Sequence, residues 1–143
     1  MQNIALKMNF HDIVDIDHPE KDSYKIRKAG AQQILISSYK RWAMIHELEN
    51  EQDELRLEDA LQKINTESID FVIVEGFKTA AIPKIEIHRP TLGKPLISSE
   101  DQHVIAIATD EPNKVNSELP ILDLNQPEMI ATYIEQFIDS HRE

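Results

Sequence analysis

The sequence has 143 residues, which fits one domain with a buried core, and its 26 acidic against 15 basic residues give a formal net charge of −11. Such a charge repels phosphate backbones and anionic lipids, so nucleic acids and membrane surfaces are poor candidates for partners. There is no cysteine, which excludes disulfides and thiolate chemistry, and neither a signal-peptide pattern nor a run of roughly 18 apolar residues stands out, so we expect an unexported, cytoplasmic protein.

The chain opens with a predicted short strand over residues 3–6, and a helix is predicted next, over 18–29. Asp17 and Glu20 have the spacing of a capping box at the start of this helix, and Gly30 is positioned to end it. The pattern therefore predicts a helix with a defined beginning and a defined end.

Two short apolar runs, 34–36 and 42–45, are separated by a few polar residues, which predicts two strands joined in a β-hairpin. An acidic stretch over 47–54 is expected to be solvated loop. Apolar residues then recur at i, i+3, i+4 and i+7, and this spacing predicts a surface helix over 55–65.

The second half contains two runs, 69–74 and 104–108, that are apolar at consecutive positions. Strands buried on both faces of a parallel sheet have this composition. Between them, 84–88 alternates between apolar and polar residues, as a half-exposed edge strand or an antiparallel strand would, and 120–124 predicts one more short strand.

The last predicted element is a helix capped by Asn125, with Glu128 three residues on. One face of it is apolar and consists of Ile130, Tyr133, Ile134, Phe137 and Ile138. Together the elements predict an α/β fold with a mixed, largely parallel sheet flanked by helices, in a single domain over 1–143.

Both strands predicted to be buried end on a carboxylate, Glu75 in one case and Asp110 in the other. Ligands of open α/β sheets bind outside the carboxyl ends of the strands, where a carboxylate can hold Mg²⁺ beside a triphosphate and Lys78 can offset phosphate charge. Asp110 can also accept from N1–H and N2–H of guanine, a pattern that adenine lacks. The alternative is that the two carboxylates only mark the points where the apolar strand sequence gives way to polar sequence.

Glycine is scarce: Gly30, Gly76 and Gly93 are the three in the sequence, and their spacing forms neither GxGxxG nor GxxxxGK[ST]. The printed chain therefore has no phosphate-cradling loop of its own. A basic helix face of Lys21, Lys25 and Lys28 beside Arg27 is notable in so acidic a chain, although a solvated helix surface would have the same composition.

A candidate metal site is a loop rich in oxygen and nitrogen ligands for a hard metal ion. It does not match an EF-hand, because it has no glycine at the bend. Its residues are His11, Asp12, Asp15, Asp17 and His18.

In this order and spacing the motifs resemble the family of molybdopterin-guanine dinucleotide biosynthesis adapter proteins, the MobB family. The matching blocks are Lys7-x-x-x-His11-Asp12, Lys21-Asp22-Ser23-Tyr24-x-x-Arg27-Lys28-Ala29-Gly30-Ala31, Arg41-Trp42-Ala43-Met44, Asp70-x-x-x-Val74-Glu75-Gly76-Phe77-Lys78, Pro83-Lys84 and Val104-Ile105-Ala106-x-Ala108-x-Asp110. They span nearly the whole chain.

The resemblance implies a P-loop NTPase-like domain that binds GTP with Mg²⁺, hydrolyses it weakly at most and forms a homodimer through the strands around 33–46. It also implies an adapter that assists the molybdenum cofactor guanylyltransferase and related cofactor-biosynthesis proteins. By the same mapping Glu75 lies near Mg²⁺, and Asp12, Lys21 and Arg27 lie near the phosphates.

Members of that family begin with a strand, a GxxxxGK[ST] loop and a helix, and this sequence begins about where their second strand stands. Because the loop supplies most of the triphosphate contacts and a ligand to Mg²⁺, we expect the affinity for GTP to fall by orders of magnitude. Without the family's first strand we expect one of three outcomes. The sheet reorders, a second copy of the chain fills the position of that strand, or the sequence is a piece of a longer product. The alternative functions are a purely structural dimerising module and a hydrolase completed by another chain.

Overall fold

The structure, a computed structural model, describes residues 3–7, 18–48, 55–67 and 69–141. The chain divides into two compact units, residues 1–78 and residues 79–143. Among the described residues the first unit contains two sheets and two α-helices, and the second contains one sheet and one α-helix. That the whole chain forms one domain stays a prediction.

Seven strands and three α-helices lie within the described residues. The strands are β1 Asn3–Lys7, β2 Gln33–Ser37, β3 Trp42–His46, β4 Phe71–Glu75, β5 Lys84–His88, β6 Val104–Thr109 and β7 Ile121–Asp123. The helices are α1 Asp22–Lys28, α2 Leu57–Leu61 and α3 Pro127–Ser140. The predicted α/β class is confirmed. None of the helices in these ranges has the length and apolar character needed to cross a bilayer.

The strands form three sheets. In the first unit β1 pairs in parallel with β4, and β2 pairs antiparallel with β3. In the second unit β5, β6 and β7 form a parallel sheet with β6 in the centre.

Strand β4 was expected to be buried on both faces, and this is wrong. None of its residues is buried: Ile73 and Glu75 are exposed, and the other three are half-buried. Among the described residues β4 has β1 as its single neighbouring strand, so its apolar composition does not place it between two strands there.

Helix α1 begins at Asp22, later than predicted. The N–H of Lys21 donates to the carbonyl of His18 at 2.9 Å, so the residues expected in the first helical turn form a separate turn. Glu20 therefore lies before the helix and cannot complete a capping box, while Asp17 lies outside the described residues. The end is confirmed, because Gly30 follows with φ of +106°, a conformation that favours glycine.

Helix α2 is shorter than the predicted 55–65, although its apolar face is confirmed. Leu57 and Ala60 are buried. After Leu61 the N–H groups of Lys63 and Ile64 donate to the carbonyls three residues back, at 3.1 and 3.4 Å. This tighter bonding ends the regular helix.

The predicted hairpin is confirmed, with Leu35 opposite Met44 in register. Its turn is organised by Ser38, whose N–H donates to the carbonyl of Arg41 at 2.8 Å. The Ser38 hydroxyl oxygen accepts from the N–H of Lys40 at 3.3 Å and from that of Arg41 at 3.2 Å. These bonds fix the register of the two strands.

The core of the second unit is strand β6, which is buried on both faces as predicted. Among the described residues β5 is an edge strand of its sheet and runs parallel to β6, so the edge alternative is confirmed and the antiparallel one is wrong. On β5 the polar residue faces inward: buried Glu86 accepts from the N–H groups of Ile97 and Ser98 at 2.7 and 2.9 Å, while Ile87 is exposed.

Helix α3 packs on this sheet, with Ile130 and Tyr133 against a cluster that includes Ala106 and Leu122. Asn125 does not cap it, contrary to prediction, and Gln126 occupies the N-cap position. The Asn125 amide instead donates to the Asp123 carboxylate at 2.9 Å, and so does its backbone N–H at 2.8 Å. The Asx-type turn competes with the cap.

The Tyr133 hydroxyl donates to the carbonyl of Ile105 at 2.9 Å, which ties α3 to the central strand. Tyr133→Phe should lower the free energy of unfolding by about 0.5–1.5 kcal/mol, because the carbonyl loses its partner. Urea unfolding followed by circular dichroism measures the change. Tyr39→Phe, at an exposed position, is the control, and equal stability of the two variants would refute this role of the hydroxyl.

An ion-pair cluster joins β5 to the turn before β6. The Asp101 carboxylate accepts from Lys84 Nζ at 2.7 Å and from both the backbone N–H and Nδ1 of His103 at 2.9 Å. These hydrogen bonds, that of Lys84 first, hold the pKa of Asp101 well below its ordinary value.

Since the folded pKa is depressed, the stabilisation by Asp101 is present above the unfolded pKa of about 4 and is lost as the pH falls below it. We expect Asp101→Asn to be less stable than the wild type at neutral pH, with the difference shrinking between about pH 5 and pH 2. Urea unfolding at a series of pH values tests this. A difference that stays constant over that range would contradict it.

Candidate functional site

Three polar residues meet at one edge of the second unit's sheet. Arg89 follows β5, Asp110 follows β6, and Asp123 is the last residue of β7. Because the three strands are parallel, their carboxyl ends lie at the same edge. This edge is where α/β sheets bind ligands.

Asp110 has one oxygen in an ion pair and one without a partner. Its Oδ2 lies 3.5 Å from Nε of Arg89. Its Oδ1 is buried and accepts no hydrogen bond from any described residue, while the side chain as a whole is 32% exposed. A buried acceptor left without a donor costs about 1–3 kcal/mol. A ligand with an N–H donor would recover that cost.

The loop after Asp110 is held by short-range contacts. The hydroxyl oxygen of buried Thr109 accepts from the N–H of Glu111 at 3.2 Å. Glu111 pairs through Oε1 with Lys114, while its Oε2 is buried with no hydrogen-bond partner among the described residues. Two adjacent carboxylates thus each hold one unsatisfied oxygen at the end of β6.

Both carboxylate oxygens of Asp123, at the end of the neighbouring strand, accept hydrogen bonds from nearby residues. It accepts from Asn125 and, through Oδ2, from the side-chain amide of Gln126 at 3.1 Å. The backbone hydrogen bond from Asn125, followed by that from Gln126, lowers the pKa of Asp123. Asp123 therefore organises the loop before α3, and Asp110 is the better placed of the two for a ligand.

In the first unit, Glu75 ends β4, with Lys7 of β1 opposite in register. The chain then turns sharply, because Gly76 and Phe77 have φ of +91° and +48°. A left-handed conformation costs a non-glycine residue roughly 1–2 kcal/mol, and the buried Phe77 ring offsets this. The turn places exposed Lys78 just beyond the carboxyl end of β4.

The basic face of α1 is divided in two. Lys21, Lys25 and Lys28 are exposed. The Arg27 side chain is only 9% exposed, with Nη1 3.0 Å from Glu47 Oε1 and its guanidinium 5.0 Å from the Tyr24 ring centroid. Arg27 therefore joins α1 to the end of the hairpin, and the lysines supply the accessible positive charge.

The predicted site residues fall into two groups. Lys21, Arg27, Glu75 and Lys78 belong to the first unit, and Asp110 to the second. Asp12 lies outside the described residues, as do the other members of the proposed metal loop except exposed His18. Within the described ranges no three His, Asp or Glu side chains are grouped to hold a metal ion.

Arg89 is a site residue that sequence reasoning missed. It directly follows the strand predicted over 84–88, so the rule that selected Glu75 and Asp110 at strand ends also applies to it. The edge-strand alternative left the direction of β5 open, and only a parallel direction brings Arg89 to Asp110.

The described elements form an α/β fold of parallel strands, a β-hairpin and helices. The chain superimposes on a crystal structure of molybdopterin-guanine biosynthesis protein B with a TM-score of 0.70 and 21% identity, over 96% of this chain and 80% of that one. It superimposes on Bacillus subtilis MobB with a TM-score of 0.62 and 21% identity, over 95% and 80% of the two chains.

Residues 3–110 match the family Molybdopterin guanine dinucleotide synthesis protein B, MobB, and the chain belongs to this family. Two relatives are named molybdopterin-guanine dinucleotide biosynthesis adapter protein. That of Escherichia coli K12 is 39% identical over 93% of this chain and 74% of its own length. That of Haemophilus influenzae is 34% identical over 94% of this chain and 72% of its own.

Proposed function

We propose that this chain is an adapter in the biosynthesis of molybdopterin guanine dinucleotide, the form of the molybdenum cofactor that carries a guanine nucleotide. Family membership and the names of its relatives support this role. The proposed partners are the molybdenum cofactor guanylyltransferase and related cofactor-biosynthesis proteins. Any hydrolysis of GTP is weak at most.

The proposed ligand is a guanine nucleotide, and Asp110 is the residue proposed to recognise its base. The observation that carries this is the buried, unpaired Oδ1 of Asp110 beside an Oδ2 held by Arg89. Guanine offers two adjacent donors, N1–H and N2–H, which match the two oxygens of one carboxylate. Adenine offers an acceptor at N1 and is excluded.

For the phosphates and Mg²⁺ we propose Glu75 as the metal-side carboxylate, with Asp12, Lys21, Arg27 and Lys78 near the phosphates. Mg²⁺ commonly takes one or two protein carboxylates and completes its shell with water and phosphate oxygens, so one strand-end glutamate fits it. When bound, the ion neutralises phosphate charge. In this proposal Lys78 and Lys21 supply accessible positive charge, and the Arg27–Glu47 pair keeps α1 in place.

Asp110→Asn tests base recognition. An amide keeps the oxygen that accepts from N1–H but turns an N–H₂ toward the guanine amine, so GTP should bind roughly 10- to 100-fold more weakly, for about 1.5–3 kcal/mol of lost charge-assisted bonding. Xanthosine triphosphate, with a carbonyl at C2, should bind the variant more tightly than it binds the wild type. Fluorescence titration with labelled nucleotides and Mg²⁺ measures both affinities.

The control is Asp123→Asn, since Asp123 lies at the same sheet edge with its oxygens already engaged. It should leave the preference for guanine intact. If the wild type shows no saturable GTP binding below millimolar concentration, the nucleotide proposal fails and the purely dimerising module becomes the better account.

We further propose that the hairpin mediates a homodimer through the outer edge of β3, extending the sheet. In the part of the chain that the structure describes, β3 pairs with β2 alone. The N–H of Glu47 donates to the carbonyl of Gln32 at 2.8 Å, so the next pair, Gln33 and His46, is of the non-hydrogen-bonded kind. The N–H of His46 therefore points outward from β3.

His46→Pro removes this outward donor, whereas His46→Ala removes the same imidazole and keeps the donor. We expect the alanine variant to remain dimeric and the proline variant to become largely monomeric at micromolar concentration, since edge pairing depends on main-chain hydrogen bonds. Sedimentation velocity measures the masses. A monomeric wild type, or a proline variant as dimeric as the alanine variant, would rule out the outer edge of β3 as the dimer contact.

A further inference from the structure

The hairpin exposes an apolar face that has no cover within the described residues. Leu35, Trp42 and Met44 are 65%, 68% and 56% exposed. Leu35 lies opposite Met44, and Trp42 is two residues from Met44 on the same strand, so the three side chains project from one face of the ribbon. We refer to these three residues as the hairpin face.

The opposite side of the ribbon is better covered. Ile34 and Ile45, which are paired across the two strands, are half-buried. A two-stranded ribbon is marginally stable unless it packs against something. That side is thus packed at Ile34 and Ile45 and exposed at Ile36 and Ala43. The hairpin face is exposed at all three of its residues and forms an apolar surface of the kind that marks interaction sites.

Positive charge lies beside the hairpin face, at its turn. Lys40 and Arg41 directly precede Trp42 and are exposed. The segment 18–48 contains six basic and three acidic residues, for a net charge of +3, whereas the whole chain carries −11, which leaves −14 outside the segment. The apolar face therefore lies in a basic segment of an acidic protein.

We propose that the hairpin face is the docking surface for a partner protein that presents aliphatic or aromatic side chains flanked by carboxylates. This inference rests on the proposed adapter function and specifies where the partner binds. Trp, Met and Arg are enriched at protein interfaces, and a basic rim complements an acidic partner surface. Nucleic acids and anionic bilayers are larger anions, which the −14 charge on the rest of the chain repels.

A second copy of this chain is a different occupant from the one proposed. Edge pairing through β3 uses main-chain groups in the plane of the ribbon, and side chains stand roughly perpendicular to that plane. The proposed dimer therefore leaves the hairpin face of each protomer open. Dimerisation and partner docking can be separated by mutation for this reason.

Calorimetric titration of the full chain with purified molybdenum cofactor guanylyltransferase tests the proposal. The double substitution Trp42→Ser and Met44→Ser should weaken binding about tenfold or more, because interface aromatics in a desolvated contact carry much of the affinity. Lys40→Glu with Arg41→Glu should weaken binding and reduce its salt dependence. Ile87→Ser, a control at a 59% exposed apolar position of the second unit, should leave binding unchanged.

Sedimentation of the same variants should show dimers throughout. If the guanylyltransferase binds the wild type and the Trp42/Met44 variant equally well, the docking surface is refuted while the adapter role stands. If the wild type does not bind it, the adapter proposal fails and this one with it. A Trp42/Met44 variant that becomes monomeric, or a wild type that floats with phosphatidylserine vesicles, assigns the face to another occupant and also overturns the proposal.

Discussion

Strand β6 is paired on both of its edges, with β5 and with β7, and its residues from Ala106 to Thr109 are fully buried. Such a strand has no room for an unpaired charge along its length, because a buried carboxylate without partners is strongly disfavoured. The first position at which a carboxylate can stand is the strand's end, and Asp110 occupies it. The organisation of the second unit follows from this strand: α3 is tied to it through Tyr133, and β5 brings Arg89 to Asp110.

The first unit is built differently, and its openness suits an assembly role. Its two sheets have two strands each within the described residues, and one face of the hairpin is exposed. The hairpin is nevertheless well defined, since Ser38 fixes its turn and Arg27 and Glu47 join its far end to α1. A defined ribbon with exposed apolar residues is what an adapter needs in order to hold a partner without rearranging.

The sequence predicts most elements because hydrophobic periodicity reports which side chains are shielded from water. The boundaries are harder to predict, since they depend on competition between local hydrogen bonds. Asn125 is a residue type that often caps helices, but its backbone N–H and side-chain amide both donate to the carboxylate of Asp123, two residues earlier. Likewise, the hydrogen bond from the N–H of Lys21 to the carbonyl of His18 forms a separate turn, whereas a capping box would have placed these residues in α1.

Burial and pairing depend on neighbours that a strand's own residues do not specify. Segments 69–74 and 104–108 have similar apolar runs, yet β6 is buried and β4 is not. Within the described residues β6 has a strand at each edge and α3 packed against its sheet, whereas β4 pairs with β1 alone. The same limit applies to the site. Asp110 could be chosen from its position after a buried strand, whereas its contact with Arg89 depends on the direction of β5, which alternation alone leaves undecided.

In the proposed nucleotide site the strand-end carboxylate of Asp110 recognises a guanine base. The most direct measurement is a crystal structure of the full chain grown with GDP and Mg²⁺. We expect N1 and N2 of guanine at about 2.7–3.2 Å from the two Asp110 oxygens, with Oδ1 no longer unpaired. A base bound elsewhere, or an Oδ1 occupied by a donor of the protein itself, would contradict it.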